Sequence, residues 1–347
     1  MRMTVRFFKY LLPGLSLLWI ARPAFAQTTP APPTAPKSIF EHLTATDCPK
    51  ITLELDVTSI IAAKKTNQYF PANLTDASGQ TYTLEVKPRG RYRRKVSEIP
   101  PLKLKFKNKT LTEMGFDTLN EIKLVLPYKV DEKGDELIIK EYLIYRMFEK
   151  ITPAAIRARL IRLTLRNTHV EKSKQVMYAI LVEHEEESAK RLNGVPVDQF
   201  GVPVDSLMHN QAALVCMFEY MIGNTDWDLS MQRNVRLLKA KETGKMLMLP
   251  YDFDFSGLVS APYASPSSES GLKSVQDRFL MNVGVSQNSL RTATNVLRAA
   301  KKDFYEICRS KYLSRTASEE MVRYLDVFFQ HAQSREEVAG KLMMPAD

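Results

Sequence analysis

Two short acidic clusters carry residue types that could do chemistry. Residues 224–234 read "NTDWDLSMQRN" and residues 249–257 read "LPYDFDFSG"; together they supply Asp226, Asp228, Asn234, Asp252 and Asp254. Asp and Asn favour turns, so either cluster alone is typical of a solvated loop. Each one here adjoins an apolar stretch, and carboxylates among bulky apolar residues usually need partners. We therefore expect the two clusters to bring oxygen ligands together.

Such oxygens suit a hard cation. Mg²⁺ takes one or two protein carboxylates or amides, and phosphates and water complete its shell. Asp252 and Asn234 are the predicted ligands, with Asp254 as the alternative to Asp252. Asp226 would then accept a proton from an attacking hydroxyl, and Asp228 is the residue to test if Asp226 does not. An Asp, then an Asn, then an Asp after a strand is the order used in kinase-type phosphoryl transfer.

Several other chemistries have no sequence signature here. The chain contains no GxxxxGK[ST] or GxGxxG phosphate motif, no HExxH, no CxxC and no GxSxG, and its five His are scattered. A P-loop, a dinucleotide fold, a zinc site and a hydrolase elbow are therefore not indicated.

The first half of the chain offers complementary charges. Lys103 and Lys105 alternate with apolar residues on one predicted strand. Glu141 falls on the apolar stripe of a predicted helix, where an unpaired carboxylate would be costly. We predict an ion pair between Lys103 and Glu141, with Lys105 as the alternative partner. A solvent-exposed Glu141 at the edge of the stripe is the competing interpretation.

A basic stretch lies beside these strands. Residues 87–109 hold ten Lys or Arg and one Glu, and "PRGRYRRK" within them could form a phosphate-facing turn through Arg89 and Arg93. A solvated hairpin edge is the commoner fate of such runs. Binding of an anionic polymer by this stretch is a further, weaker hypothesis, whereas a general nucleic-acid surface is not expected.

The N-terminus is typical of an exported protein. A basic start, a short apolar run and "AFA" predict a signal peptide over 1–26, cleaved before Gln27, and "QTTPAPPTAPK" predicts a disordered linker over 27–37. Residues 1–26 hold four basic and no acidic residues, which leaves a net charge of +6 on the rest. We expect a periplasmic or secreted protein with no membrane span after cleavage. Three cysteines indicate no disulfide framework, although a Cys48–Cys308 bridge is possible.

Hydrophobic periodicity predicts strands first and helices later. Strands are expected near 50–58, 81–88, 102–107, 121–128, 157–167 and 174–184, and one long helix over 135–150. A strongly apolar helix should end at Gly223, followed by a hairpin over 234–254 and helices over 287–312 and 317–332. This order predicts an α+β, bilobal arrangement. Its strand-rich N-lobe would cover 38–184, and its mainly helical C-lobe, with the acidic hairpin, 185–347.

These residues resemble a known family. "RGRYRRK…PPLKLKF", "KEYLIYRMFEKITP", "AILVEHEEESAKR", "IGNTDWDLSMQRNVRLL" and "LPYDFDFSGLVSAPYA" are similar to motifs of a bacterial branch of the CotH kinase-like family, secreted relatives of protein kinases. The resemblance covers roughly residues 50–335, and the last two motifs are the specific ones. The chain departs from ordinary kinases in having no HRD and no multi-glycine loop.

The resemblance implies a protein-kinase-like fold that binds ATP and Mg²⁺. By position, Asp226 matches the catalytic Asp and Asn234 a metal ligand, while Asp252 matches the metal-binding Asp of a DFG-like element. Lys103 matches the phosphate-contacting Lys, with Lys105 as the alternative. Leu181, Val182 and Glu183 would lie near the adenine-contacting hinge.

Two functions follow from this resemblance. The first is an exported, ATP- and Mg²⁺-dependent enzyme that transfers phosphate to a hydroxyl acceptor, which in some members is a protein. The second is a catalytically inactive binding or structural protein of the cell envelope or surface with the same fold, since fold alone does not separate the two. ATP is scarce outside the cytoplasm, and this favours the second.

Overall fold

The computed structural model describes residues 36–332. The predicted signal peptide and most of the predicted linker lie outside these residues. Within 36–332 no helix is long and apolar enough to cross a membrane. All three cysteines are free thiols, so the Cys48–Cys308 bridge is not formed.

Ten strands and ten α-helices make up the described chain. The strands are β1 Lys50–Leu55, β2 Phe70–Thr75, β3 Thr81–Pro88, β4 Leu102–Phe106, β5 Glu121–Val125, β6 Ala158–Asn167, β7 Lys174–Val182, β8 Gly194–Val197, β9 Val235–Ala240 and β10 Met246–Pro250. The helices are α1 Ile39–Leu43, α2 Val57–Ala62, α3 Arg93–Val96, α4 Asn108–Glu113, α5 Glu132–Ile151, α6 Glu185–Arg191, α7 His209–Ile222, α8 Gln287–Ala299, α9 Lys301–Cys308 and α10 Arg315–His331.

Seven of the strands close into a barrel. Their order is β1-β2-β3-β4-β5-β7-β6, and the barrel closes because β1 pairs with β6 in parallel, while every other neighbouring pair is antiparallel. Closure leaves no free edge on this sheet. Strand β4 shows the alternation that builds it, since Leu102, Leu104 and Phe106 are buried and Lys103 and Lys105 face outwards.

The second half contains a small sheet among helices. Strands β9 and β10 form the predicted hairpin, and β8 extends it to three strands in the order β10-β9-β8. Helix α7 ends as predicted at Gly223, whose φ of 67° is left-handed. A side chain there would also meet the Tyr324 hydroxyl, since a Cβ would lie 1.9 Å from that oxygen. Glycine is therefore required at this helix end.

Two hydrophobic cores result. One is formed by the inward residues of the barrel strands with α1, α2 and α4. The other joins the second half of the chain to the long helix α5. Helix α5 begins at the N-cap Asp131, whose carboxylate accepts a hydrogen bond from Gly134 N at 2.7 Å. The buried side chains of α5 pack in the same core as the helices of the second half.

The sequence predicted the mixture of strands and helices, but it did not predict that the first sheet closes into a barrel. Strands in the first half and helices in the second are confirmed, as is the hairpin at 234–254. The strand predicted over 50–58 ends at Leu55 and gives way to α2, while β2 and β8 were missed. The described residues show a closed barrel in place of an evident two-lobed shape. The protein-kinase-like arrangement itself stays a prediction.

Candidate active site

Both acidic clusters line one cavity of about 590 Å³ between the barrel and the small sheet. We call it the arginine cavity. Its charged lining consists of Arg89, Arg91, Arg93, Arg233, Arg236, Asp198, Asp226, Asp252 and Asp254. The predicted meeting of the two clusters is thus observed, together with the "PRGRYRRK" segment. A volume of this size is usual for small-molecule sites in proteins.

Asp226 is held in place by its neighbours. Asn224 Oδ1 accepts a hydrogen bond from Asp226 N at 3.0 Å, and Asn234 Nδ2 donates to Asp226 Oδ2 at 3.0 Å. Burial raises the pKa of the Asp226 carboxyl; Arg233 at 3.5 Å opposes this, and the charge of Asp252 adds to it. A half-buried carboxylate with a raised pKa, in the lining of a cavity, has the properties of a general base.

Asn234 and Asp252 share an unusual backbone conformation. Their φ angles are 53° and 67°, in the left-handed region that Asn and Asp tolerate better than other non-glycine residues. Asp252 N donates to the Tyr145 hydroxyl at 2.8 Å, and Asn234 O accepts from Tyr251 N at 3.0 Å. These contacts hold two strained residues at the same end of the hairpin: Asn234 directly precedes β9, and Asp252 follows β10 after Tyr251.

Asp252 and Asn234 fit a hard cation. The Asp252 carboxylate makes no hydrogen bond or ion pair with any described residue, and Asn234 uses only its Nδ2, so Asn234 Oδ1 is also available. No group of three His, Cys, Asp or Glu able to hold a metal occurs within 36–332. One carboxylate and one amide oxygen are nevertheless what Mg²⁺ takes when phosphates complete its shell. Asn234 and Asp252 remain the predicted ligands.

The third predicted ligand is already engaged. Asp254 is only 4% exposed, and its Oδ2 accepts hydrogen bonds from Arg93 Nε at 2.9 Å and from the Tyr263 hydroxyl at 3.0 Å. Arg93 also donates from Nη2 to Glu141 Oε2 at 2.9 Å. The Arg93 side chain therefore joins α5 to the segment after β10.

The predicted ion pair between Lys103 and Glu141 is wrong. Glu141 is fully buried, which excludes the solvent-exposed alternative, but its partner is Arg93 on the short helix α3. The sequence error has a geometric cause: Lys103 and Lys105 point away from the barrel core on β4, where Lys103 pairs with Glu121. Arg93 on α3 reaches both Glu141 on α5 and Asp254 after β10. One guanidinium faces two buried carboxylates. Burial raises the pKa of both carboxyls; the charge of Arg93 opposes this for each, and the neighbouring carboxylates, Asp252 among them, add to it.

Both predicted phosphate lysines lie outside the arginine cavity. Lys103 Nζ forms an ion pair with Glu121 Oε2 on β5 at 2.6 Å. Lys105 Nζ lies 5.4 Å from the centre of the Tyr69 ring. Neither residue lines the cavity, so their roles in cofactor binding rest on sequence alone.

The predicted hinge residues are buried and contact residues of the barrel region and of α6. Leu181 is buried in the barrel core, and Glu183 accepts hydrogen bonds from Arg157 N and the Ser188 hydroxyl, both at 2.8 Å. Arg191 Nη2 donates to the same Glu183 oxygen at 2.6 Å. Neither Leu181 nor Glu183 lines the arginine cavity, and the adenine-contacting role stays a prediction.

Sequence reasoning missed Lys123 on β5. It is 7% exposed, and its Nζ lies 5.1 Å from the centre of the Tyr251 ring, which lines the cavity. It has no carboxylate partner within 36–332 at ion-pair distance. Burial lowers its pKa to about 7, and Arg89 and Arg236 contribute to this. The sequence "EIKLVLPY" did contain a signal for it. A single lysine at the centre of a mostly apolar strand indicates a buried or partly buried ammonium group.

Three more buried polar groups lie under the Asp226 loop. Both Glu219 carboxylate oxygens, Asn224 Nδ2 and Trp227 Nε1 are buried and make no hydrogen bond of normal geometry to a described atom, although the Asn224 side chain lies close enough to Glu219 to oppose the rise of its pKa. Burial raises the pKa of Glu219 to about 8, so this carboxyl is protonated at neutral pH. A neutral Glu219 avoids a buried charge beneath Asp226, which sequence reasoning also did not identify.

Comparisons with known proteins give little further direction. No family model matches the chain, and no curated protein matches its sequence. Among solved structures, the crystal structure of a Helicobacter pylori proinflammatory kinase, CtkA, is similar at a TM-score of 0.36 and 10% identity, over 65% of this chain and 88% of that chain. A likeness at this level carries no argument about fold or activity. The resemblance to the CotH kinase-like family therefore rests on the sequence motifs.

Proposed function

We propose that this protein is a kinase-like phosphotransferase that binds ATP with Mg²⁺ and transfers phosphate to a hydroxyl acceptor. One observation carries the proposal: in the arginine cavity the Asp252 carboxylate and Asn234 Oδ1 have no partner within 36–332 and lie next to Asp226, with arginines around them. This combination of oxygen ligands, a candidate base and cations is what phosphoryl transfer uses. The proposal includes the export that the N-terminal sequence predicts.

Each residue has a distinct part in the proposed reaction. Asp226 accepts the proton of the acceptor hydroxyl, and the Nδ2 group of Asn234 orients its carboxylate. Arg89 and Arg91 have no ion-pair partner within the described chain and would bind the negative charge of the phosphates. Asp252 and Asn234 Oδ1 would hold Mg²⁺, which when bound neutralises phosphate charge. The Arg93 contacts with Glu141 and Asp254 fix the segment that presents Asp252.

Calorimetric titration of the full chain with ATP, with and without Mg²⁺, tests this function. We expect Mg²⁺-dependent binding that Asp252→Asn weakens about tenfold or more, because an anionic oxygen ligand is removed. Glu242→Gln, at an exposed turn between β9 and β10, is the matched control and should bind as the wild type does. Absence of ATP binding in the wild type, with and without Mg²⁺, would overturn the proposal.

A second candidate has its own supporting observation. The Asp254 Oδ2 atom is occupied by Arg93 and Tyr263, and the predicted hinge residues lie away from the cavity. A catalytically inactive protein that binds a phosphorylated ligand in the arginine cavity, at the cell envelope or surface, needs neither. Binding of a nucleotide or phosphate compound without any phosphate transfer would select this candidate.

A further inference from the structure

A second cavity lies on the other side of the Asp226 loop. Its volume is about 670 Å³, and we call it the apolar cavity. Its lining includes Trp227, Leu229, Phe279 and Met281, together with Asp228 and Glu269. Trp227 to Ser230 form part of its wall, while Asp226, one residue earlier, lines the arginine cavity. The proposed phosphoryl transfer makes no use of this space.

The charges of the apolar cavity have one sign. Asp228 and Glu269 are its only charged lining residues, and no Lys or Arg within the described range lines it. Asp228 Oδ1 accepts hydrogen bonds from the Ser230 hydroxyl and from Met231 N, and Asp228 Oδ2 has no described partner. The Glu269 carboxylate makes no hydrogen bond or ion pair with residues 36–332. Two uncompensated carboxylates therefore border an apolar space.

One aromatic ring in the lining of the cavity is accessible to a ligand. Phe279 is 38% exposed, whereas Trp227 is only 1% exposed and presents almost no face. Aromatic faces and carboxylates together are the environment that binds organic cations.

We propose that the apolar cavity binds an amine or guanidinium that carries an apolar or aromatic body. The apolar side chains would contact the body, and Asp228 and Glu269 would attract the cation. This site goes beyond the proposed phosphoryl transfer and does not require it to be correct. A basic peptide side chain and a small free amine share the same chemistry.

Three near-isosteric probes separate charge from apolar contact: phenethylamine, phenethyl alcohol and phenylacetate. The chain has two tryptophans, Trp19 and Trp227, so Trp19→Phe leaves Trp227 as the sole reporter in the full chain. Titration with each probe should change the fluorescence of Trp227 until it saturates. The affinity should be highest for the amine, lower for the alcohol and lowest for the acid. The amine should bind about twofold to fivefold more tightly than the alcohol, as a partly exposed charge pair allows. Equal affinities, or no saturable change, would overturn the proposal.

Substitutions then locate the probe. Asp228→Asn keeps an oxygen for the Ser230 and Met231 hydrogen bonds, and together with Glu269→Gln it should abolish the preference for amine over alcohol. Glu242→Gln, an exposed carboxylate outside both cavities, should retain it. Asp252→Asn, in the arginine cavity, should also leave amine affinity unchanged, even if the protein binds no nucleotide. A preference that survives the double substitution, or disappears in Asp252→Asn, would contradict the assignment.

Discussion

The arginine cavity and the apolar cavity differ although a single loop separates them. Residues 226–230 supply Asp226 to the first and Trp227, Asp228, Leu229 and Ser230 to the second. In the first cavity arginines surround the carboxylates, whereas in the second two carboxylates face apolar side chains without a cation among the described lining residues. Asp226 and Asp228 stand on either side of Trp227 in "TDWDLS", yet they line different cavities. The comparison therefore shows that two aspartates of one loop can lie in different chemical environments.

Substitution of Asp226 and of Asp228 tests the difference between the two cavities most directly. We expect Asp226→Ala to lower phosphate transfer about 10²- to 10⁴-fold, the usual contribution of a general base, while ATP binding stays nearly intact. Asp228→Ala, at the apolar cavity, is the matched variant and should keep most of the activity. Release of phosphate from ATP and autophosphorylation, measured on both purified proteins, test this. Wild-type turnover in Asp226→Ala would refute the base assignment.

Buried and exposed ion pairs should differ in their contribution to stability. Arg93→Ala leaves Glu141 and Asp254 buried without their cation, and we expect the free energy of unfolding to fall by about 3–5 kcal/mol. Lys103→Ala removes a pair whose side chains are 24% and 21% exposed, and should cost about 0–1 kcal/mol. Urea unfolding measures both. Similar losses in the two variants would show that the Arg93 contacts are not the anchor of the arginine cavity.

Glu219 beneath the shared loop should make stability depend on pH. Its folded pKa of about 8 lies above the ordinary 4.5, so the folded state binds this proton more tightly than the unfolded state does. Stability from this group is therefore present at low pH and is lost as pH rises from about 4.5 to 8. Glu219→Gln should be more stable than the wild type at pH 8 by up to about 3 kcal/mol and comparable to it at pH 5.

Urea unfolding at pH 5 and pH 8 checks this difference. Glu242→Gln, whose carboxylate is exposed, controls for the loss of one negative charge. If the wild type and Glu219→Gln show the same change of stability between the two pH values, Glu219 is not buried as a neutral acid.

The smallest expected effect concerns Lys123 behind the arginine cavity. Because its pKa is about 7, Lys123 carries a positive charge at pH 6 and almost none at pH 9. Lys123→Met should weaken ATP binding about threefold at pH 6 and hardly at all at pH 9, a Coulomb effect through partly screened surroundings. Lys103→Met, whose lysine is paired with Glu121, should show no such pH dependence. ATP titrations at the two pH values decide this.

Local patterns in the sequence predicted much of this molecule. The alternation of "PLKLKF" correctly placed Leu102 inside and Lys103 outside β4, and Gly223 correctly marked the end of α7. The two acidic clusters were predicted to converge, and they do in the arginine cavity. These features succeed because periodicity and turn residues act over a few neighbouring positions.

Pairings between distant residues were decided only by tertiary structure. The sequence correctly indicated that Glu141 on α5 needs a cation, but Arg93 reaches it and Lys103 does not. Barrel closure through β1 and β6, and the place of Lys123 behind Tyr251, likewise depend on contacts between segments far apart in the chain. A single sequence specifies which groups require partners, because burial follows from local pattern. Which residue becomes the partner depends on the path of the whole backbone, and that path is set by how the helices and strands pack together.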